Sequence, residues 1–212
     1  MRASDQRQLW NDKHARGEHA AYADEPDQFA IEAEGTFERG SYILELGCGV
    51  GADARYFASK GHSVEATDFS SVVIGQNKQR FHKGIHFSVL DMAEDFPYDD
   101  MQFDVVYAHL SIHYFSDATT REIIREVHRV LKPGGLFIFR CKSNASWEKD
   151  ISVEVAPNVF VSHKTGHVRH LFSKEYARTI LGNLFSVVKL EETSSQYRDN
   201  VSSFIDCWAK AR

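Results

Sequence analysis

Residues 43–70 read ILELGCGVGADARYFASKGHSVEATDFS, and the fold class follows from how apolar runs and glycines alternate there. Tyr42 to Leu46 is a short apolar run stopped by Gly47, Gly49 and Gly51, which predicts a buried strand ending in a tight loop. Ala54, Phe57 and Ala58 share one face of a helix expected over Ala52–Ser59, and Gly61 ends it. His62–Thr67 reads as a second strand, with Ser70 placed to cap the next helix. Glycines between a strand and a helix let backbone N–H groups approach a ligand closely. Gly47, Gly49 and Ala52 satisfy the spacing G-x-G-x-x-A, and Asp68 lies about 20 residues on, where an acid meets a ribose. A nucleotide-like cofactor is implied. Glu45 helps choose it, because a carboxylate at the strand's end repels a pyrophosphate and attracts a ligand carrying an ammonium and a sulfonium, such as S-adenosylmethionine.

Outward from this segment the two hydrophobic periods keep alternating, which is the pattern of a parallel sheet covered by helices. A helix is expected from Ser70 to about Phe81, then strands over Ile85–Leu90 and Phe103–Ala108. A strongly periodic helix follows from about Ala118 to Leu131, and a strand over Leu136–Phe139 after the breaker Lys132-Pro133-Gly134-Gly135. Beyond the core, residues 142–172 are polar, hold His163, His167 and His170, and show no helix period; they read as a lid or substrate insert. In the last part, 173–212, a helix over Ser173–Leu181 precedes candidate strands Phe185–Glu191 and Ser203–Ala209, an antiparallel pair joined by the polar, sheet-depleted stretch Glu192–Ser202. Residues 1–38 carry Trp10, Tyr22 and Phe29 among charges and read as an amphipathic helical cap on a core of residues 39–141.

The 212 residues suit a single domain that buries its own core. A net charge of −5 without a long basic run argues against nucleic acid as a partner. Cys48, Cys141 and Cys207 are odd in number and far apart, which fits a reducing compartment and neither a disulfide framework nor a zinc knuckle. Met1 to Leu9 lacks an apolar stretch, and nothing approaches the about 18 apolar residues of a membrane span, so a cytoplasmic protein is expected.

Three segments carry a resemblance. ILELGCGVGADARYFASKGHSVEATDFS resembles the cofactor segment of class I S-adenosylmethionine-dependent methyltransferases. LDMAEDFPYDDMQFDVVYAHLSIHYF (90–115) resembles that family's third and fourth strand regions, and RVLKPGGLFIF (129–139) its glycine turn before strand five. The flanks, Trp10–His14 with Gly17–His19 and Glu25–Asp27, and GHVRHLFSKEY (166–176), look like the small tellurite-resistance and thiopurine type. The resemblance implies an α/β, Rossmann-like sandwich: a mostly parallel seven-stranded sheet with an antiparallel C-terminal strand and helices on both faces. It also implies S-adenosylmethionine as cofactor and S-adenosylhomocysteine as product.

Carried over by residue, Gly47, Cys48, Gly49 and Gly51 bring the loop against the methionine end of the cofactor, and Glu45 holds its ammonium. Asp68 accepts the ribose hydroxyls, Phe69 covers one adenine face, Asp91 accepts from the exocyclic amine, the Met92 N–H meets a ring nitrogen, and Ala108 and His109 floor the methionine site. Each has a structural alternative: the glycines shape a turn, Asp68 caps the helix near Ser70, and Asp91 steadies a loop. His109 and His113 follow a strand with no further ligand beside them, so no metal site is expected, and Asp104 reads as structural.

Methyl transfer from a sulfonium is an in-line displacement, so positioning supplies most of the catalysis. A hydroxyl or protonated-amine acceptor needs a base, and His113 or His109 is placed to supply it; a thiol needs none. Strand four ends in Ala108-His109-Leu110-Ser111 instead of the Asp/Asn-Pro-Pro-Tyr of nucleobase and glutamine amine methyltransferases, and there is no Pro-Cys nucleophile. A small-molecule acceptor is therefore expected, on a monomer or homodimer, in a pocket of Trp10, Tyr22, Phe29, His109, His113, Tyr114, Arg140, Trp147, Arg169 and His170. Arg140 and Arg169 are the residues that would pair with an anionic acceptor. Two rivals use the same glycine loop: a nicotinamide-dependent oxidoreductase and a noncatalytic S-adenosylmethionine-binding protein.

Overall fold

A computed structural model of the chain describes residues 3–18, 25–80, 83–145, 152–163, 166–197 and 200–212. Its centre is β1 (Tyr42–Leu46), buried on both faces. β1 pairs in parallel with β2 (Ser63–Asp68) on one side and β4 (Phe103–His109) on the other. β3 (Ile85–Val89) adds to β2, and β5 (Leu131–Lys142) adds to β4, both parallel. β10 (Asn200–Ala211) runs antiparallel to β5 and to β9 (Phe185–Tyr197), giving a seven-stranded order β3-β2-β1-β4-β5-β10-β9. This is the expected Rossmann-like sheet with its antiparallel C-terminal strand.

Alternation along the central strands sends side chains to two cores. Leu44, Leu46, Val106, Ala108, Phe137 and Phe139 face one core, where α5 (Asp117–Val130) adds Ile123, Ile124 and Val127, and α6 (Lys174–Leu181) adds Ile180 and Leu181. Ile43, Val105, Tyr107 and Ile138 face the other, which α2 (Gln28–Glu34), α3 (Ala52–Ser59) and α4 (Ser71–Arg80) close with Phe29, Phe57, Val73 and Ile74. Helices thus cover both faces. Because the chain passes from β1 outward to β2 and β3, then returns to β4 on β1's other side, the connections part at the carboxyl ends of β1 and β4, where ligands sit in such sheets.

Two expectations are corrected, and the insert takes a definite form. The breaker at Lys132–Gly135 does not end a segment; it bulges out of β5, whose pairing with β4 resumes from Phe103↔Leu131 to Val105↔Leu136. The stretch Glu192–Ser202 is not a loose joint: pairing continues outward to Asn200↔Tyr197, because its polar groups find partners, Thr193 donating to Asp206 at 2.8 Å and Ser194 lying 3.1 Å from Ser203. The described part of the insert forms its own antiparallel sheet of β6 (Ser152–Ala156), β7 (Val159–Ser162) and β8 (Val168–His170).

Across β5 and β10, Arg140 donates from Nε and Nη2 to the two oxygens of buried Asp206, each at 2.7 Å. A bidentate pair this buried is costly to break on one side. Asp206→Ala is expected to lower unfolding free energy by about 3 to 5 kcal/mol, and the double variant Arg140→Met/Asp206→Leu by less, as read from urea denaturation.

Candidate functional site

The glycine loop is fastened at both ends. Gly47 and Cys48 both donate their N–H groups to the Thr67 carbonyl, at 2.9 and 2.7 Å, and Gly51 donates to the Cys48 carbonyl at 2.9 Å. Gly49 donates to Asp68 at 2.9 Å, while Asn77 of α4 donates to the Gly49 carbonyl at 2.8 Å. The N–H groups of Gly47, Cys48, Gly49 and Gly51 are thus used within the protein, so these glycines serve close approach more than donation. Gly47 has φ 83°, and a Cβ there would sit 2.5 Å from the Cβ of Ser111, whose hydroxyl donates to the Leu46 carbonyl at 2.5 Å. Ser111 and Asn77 carry no motif, and their part in the loop is visible only in three dimensions.

Three acids gather under the loop. Glu45 is 2% exposed, and its Oε2 has no hydrogen-bond partner. Burial, then the charges of Asp53 and Asp68, push its pKa well above the ordinary carboxyl value. Asp68 accepts from Gly49 and from the Ser70 N–H, the latter at 2.8 Å, so the helix-capping alternative is real; each oxygen keeps a further lone pair for a ligand. Burial raises its pKa too, against the opposing pull of those N–H groups and of His14. Asp53, absent from the sequence reading, accepts from the Tyr107 hydroxyl at 3.0 Å and the Asp27 N–H at 2.9 Å, and lies 3.3 Å from His109 Nδ1. Cys48 is buried, and burial pushes its thiol up, so it is an inert lining group.

Beyond β2 and β3 come half-buried Phe69 and Asp91, with Met92 buried in the core beside Leu90. Asp91 accepts from the Ala93 N–H at 3.0 Å and from Arg7 at 3.2 Å. Arg7 belongs to α1 (Ala3–Ala15), and its guanidinium carbon lies 4.4 Å from the centre of the Phe69 ring. Asn11 of the same helix accepts from the Ser70 hydroxyl at 2.7 Å, and His14 is buried within electrostatic reach of Asp68. Asn11 and His14 fall in the flank that carries the tellurite-resistance likeness, but the sequence assigned them no role, and Arg7 lies outside it.

On the other side, Trp10 meets Tyr114 edge-on at 5.2 Å and His167 at 4.9 Å, so cap, strand-four loop and insert do come together. His113 lies 4.4 Å from Tyr114, is 1% exposed, and has an unpartnered Nδ1. Burial and then the positive charges of Arg169 and Lys142 hold its pKa well below the usual histidine value. His170 is buried between Phe172 and Tyr176, and burial lowers its pKa as well. Arg169 is half-buried with an unpartnered Nε. Ala108 is fully buried in β4, with His109 half-buried beside it. Arg140 stands apart: its fork is taken by Asp206 and by Asp27 at 3.4 Å, and it stacks 4.5 Å from Phe29, itself wholly in the core. Tyr22 and Trp147 lie outside the described residues.

Residues 43–135, which hold the loop and the three acids, match the family described as Methyltransferase domain. That likeness covers less than half of the chain. Over 98 residues the chain is 37% identical to an uncharacterized methyltransferase of Synechocystis sp., an overlap of 46% of this chain and 45% of that protein. Among solved structures, a SAM-dependent methyltransferase from Methanosarcina mazei shares the fold with a TM-score of 0.76 at 21% identity, over 88% of this chain and 98% of that one. A 1,6-didemethyltoxoflavin-N1-methyltransferase from Burkholderia thailandensis, solved with 1,6-didemethyltoxoflavin and S-adenosylhomocysteine, gives 0.72 at 16% identity, over 100% and 91%. The chain spans about half the length of the curated relatives it matches. A carboxylate at Glu45 sets this loop apart from the dinucleotide-binding use of the same glycine pattern.

Within this segment, Gly47 and Gly49 predict different responses. Gly47→Ala forces a Cβ against Ser111 at positive φ and is expected to destabilise by about 2 to 4 kcal/mol. Gly49→Ala, with no atom within 4 Å of the added Cβ, should lose only about 1 to 2 kcal/mol, both read by chemical denaturation.

Proposed function

We propose that this chain transfers a methyl group from S-adenosylmethionine to a small-molecule acceptor. The observation that carries the reading is Glu45, a buried carboxyl with an unpartnered oxygen beside a loop that leaves no room for a side chain at Gly47. A buried acid with an open oxygen asks for a cationic partner, and a nucleotide cofactor bearing an ammonium supplies one. Gly47, Cys48, Gly49 and Gly51 would border its amino-acid end, Asp68 would accept from its ribose, and Phe69, Asp91 and Met92 would face its base. When bound, its sulfonium makes the methyl carbon electrophilic and leaves as a neutral thioether.

The rest falls to the chain's own residues. Trp10, Tyr114, Arg169 and His170 would line the acceptor side, with α1 and the insert excluding water. Residues 39–141 would bind the cofactor, and the cap, the insert and the C-terminal part would complete one working unit. For an acceptor that must lose a proton, His109 is the better-supported base. Asp53 sits against its Nδ1, which favours a proton there and leaves Nε2 to accept. His113, kept neutral by burial and neighbouring cations, would line the pocket. Arg140 is left out of the acceptor site because its fork is engaged by Asp206. The flanks' likeness to the tellurite-resistance and thiopurine type supports a small acceptor, as does the 1,6-didemethyltoxoflavin bound by the Burkholderia protein of the same fold.

The test is calorimetric titration of ligand-free protein with S-adenosylmethionine, S-adenosylhomocysteine and NADH. Binding of the first two alone is expected. NADH binding alone would replace the reading with a nicotinamide oxidoreductase, and cofactor binding without turnover on any acceptor in a broad screen would leave a noncatalytic binder. Glu45→Gln separates affinity from stability. It should weaken S-adenosylmethionine binding about tenfold, because a charge-assisted contact is lost. The cofactor-free fold should respond in the opposite sense. A carboxyl whose pKa is raised by folding stabilises fully below its unfolded pKa, and that contribution is lost as pH rises through the folded value. The variant should therefore lose less stability than the wild-type chain between pH about 4.5 and 8 in thermal unfolding.

A further inference from the structure

We propose that Arg7 occupies the adenine subsite of the cofactor-free chain, making α1 a self-occupying gate that the cofactor must expel. The inference rests on the reading of Phe69 and Asp91 as the adenine contacts. The guanidinium is flat, stacks 4.4 Å from the Phe69 centre and donates to Asp91 at 3.2 Å. An adenine offers the same chemistry, a flat face for Phe69 and an exocyclic N–H for the carboxylate. The two demands meet at the same place: a base stacked on Phe69 with its amine on Asp91 needs the space that the guanidinium now fills between that ring and that carboxylate.

The contact is built to yield. The Arg7 side chain is 47% exposed, so solvent screens its pair with Asp91. α1 has few apolar residues with which to seat itself, Leu9 and Trp10 being the large ones. Asn11 on Ser70 and Trp10 against Tyr114 and His167 hold the helix over the cleft, which keeps Arg7 at high effective concentration beside its subsite. A binding-competent fraction reduced in this way lowers apparent cofactor affinity by that fraction.

The experiment titrates S-adenosylhomocysteine calorimetrically into the full chain and its Arg7→Ala variant at low and high salt, and follows Trp10 emission during binding with Trp10→Phe as control. Arg7→Ala is expected to tighten binding about five- to tenfold at low salt, and the gap to the wild-type chain should narrow as salt screens the ion pair. Trp10 emission should change in the wild-type chain as α1 is displaced. Weaker binding by Arg7→Ala would mean that Arg7 grips the bound base, and unchanged affinity would mean that it does not touch the subsite; either overturns the gate while leaving the cofactor reading intact. Failure of both proteins to bind would overturn the cofactor reading and the gate with it.

Discussion

The Thr67 carbonyl, at the end of β2, takes two N–H groups from the chain leaving β1, those of Gly47 and Cys48. That shared acceptor bends the chain at once after Leu46 and fixes where α3 begins. The bend lets the Asp68 carboxylate, one residue on, reach back to Gly49. It also brings the loop so close to Ser111 that only glycine fits at position 47. Loop, β2 end and strand-four loop therefore form one rigid unit, and groups built on it keep their spacing without help from a ligand.

This unit concentrates negative charge in poor solvent. Glu45, Asp53 and Asp68 act on one another, and burial raises the pKa of the first and third. Neutral donors answer Asp53, through the Tyr107 hydroxyl and the Asp27 N–H, and Asp68, through the Gly49 and Ser70 N–H groups, whereas Oε2 of Glu45 has none. A fold selected for stability alone would replace Glu45 with an apolar residue, since an unpartnered buried carboxyl costs free energy. An acid kept there fits the proposed use of the site, in which local stability is traded for ligand chemistry.

The elements that hold this unit were legible because their signals are local. Strand β1, the glycine loop and α3 follow from apolar runs and breakers within one stretch, and α3 matches the expected Ala52–Ser59. What stayed hidden depends on distant partners. Polar residues 192–197 extend β9 because Asp206 and Ser203 wait across the ladder, and no composition rule encodes that. Arg140 looked free to meet an anion because Asp206, its partner on β10, is 66 residues away. Arg7, Asn11 and His14 sit in a helix whose polar composition resembles a solvated face, and only its placement over Phe69, Asp91 and Asp68 gives those side chains meaning.

Residues 7, 10, 11 and 14 recur at helical spacing, so they share one face of α1, and that face meets both halves of the cleft. Arg7 and Asn11 touch the side that carries Phe69, Ser70 and Asp91, while Trp10 touches Tyr114 and His167. A helix seated by an apolar stripe would be indifferent to what fills a polar cleft. Here the seat consists largely of contacts to the residues proposed to face the ligand, so on that reading helix position and ligand occupancy draw on the same interactions. Linkage is then reciprocal: whatever a ligand at Phe69 and Asp91 does to the seating of α1, the seating of α1 does to that ligand's affinity. Because Trp10 rides on the same helix, a change at the base-facing side must be felt at the aromatic cluster on the other.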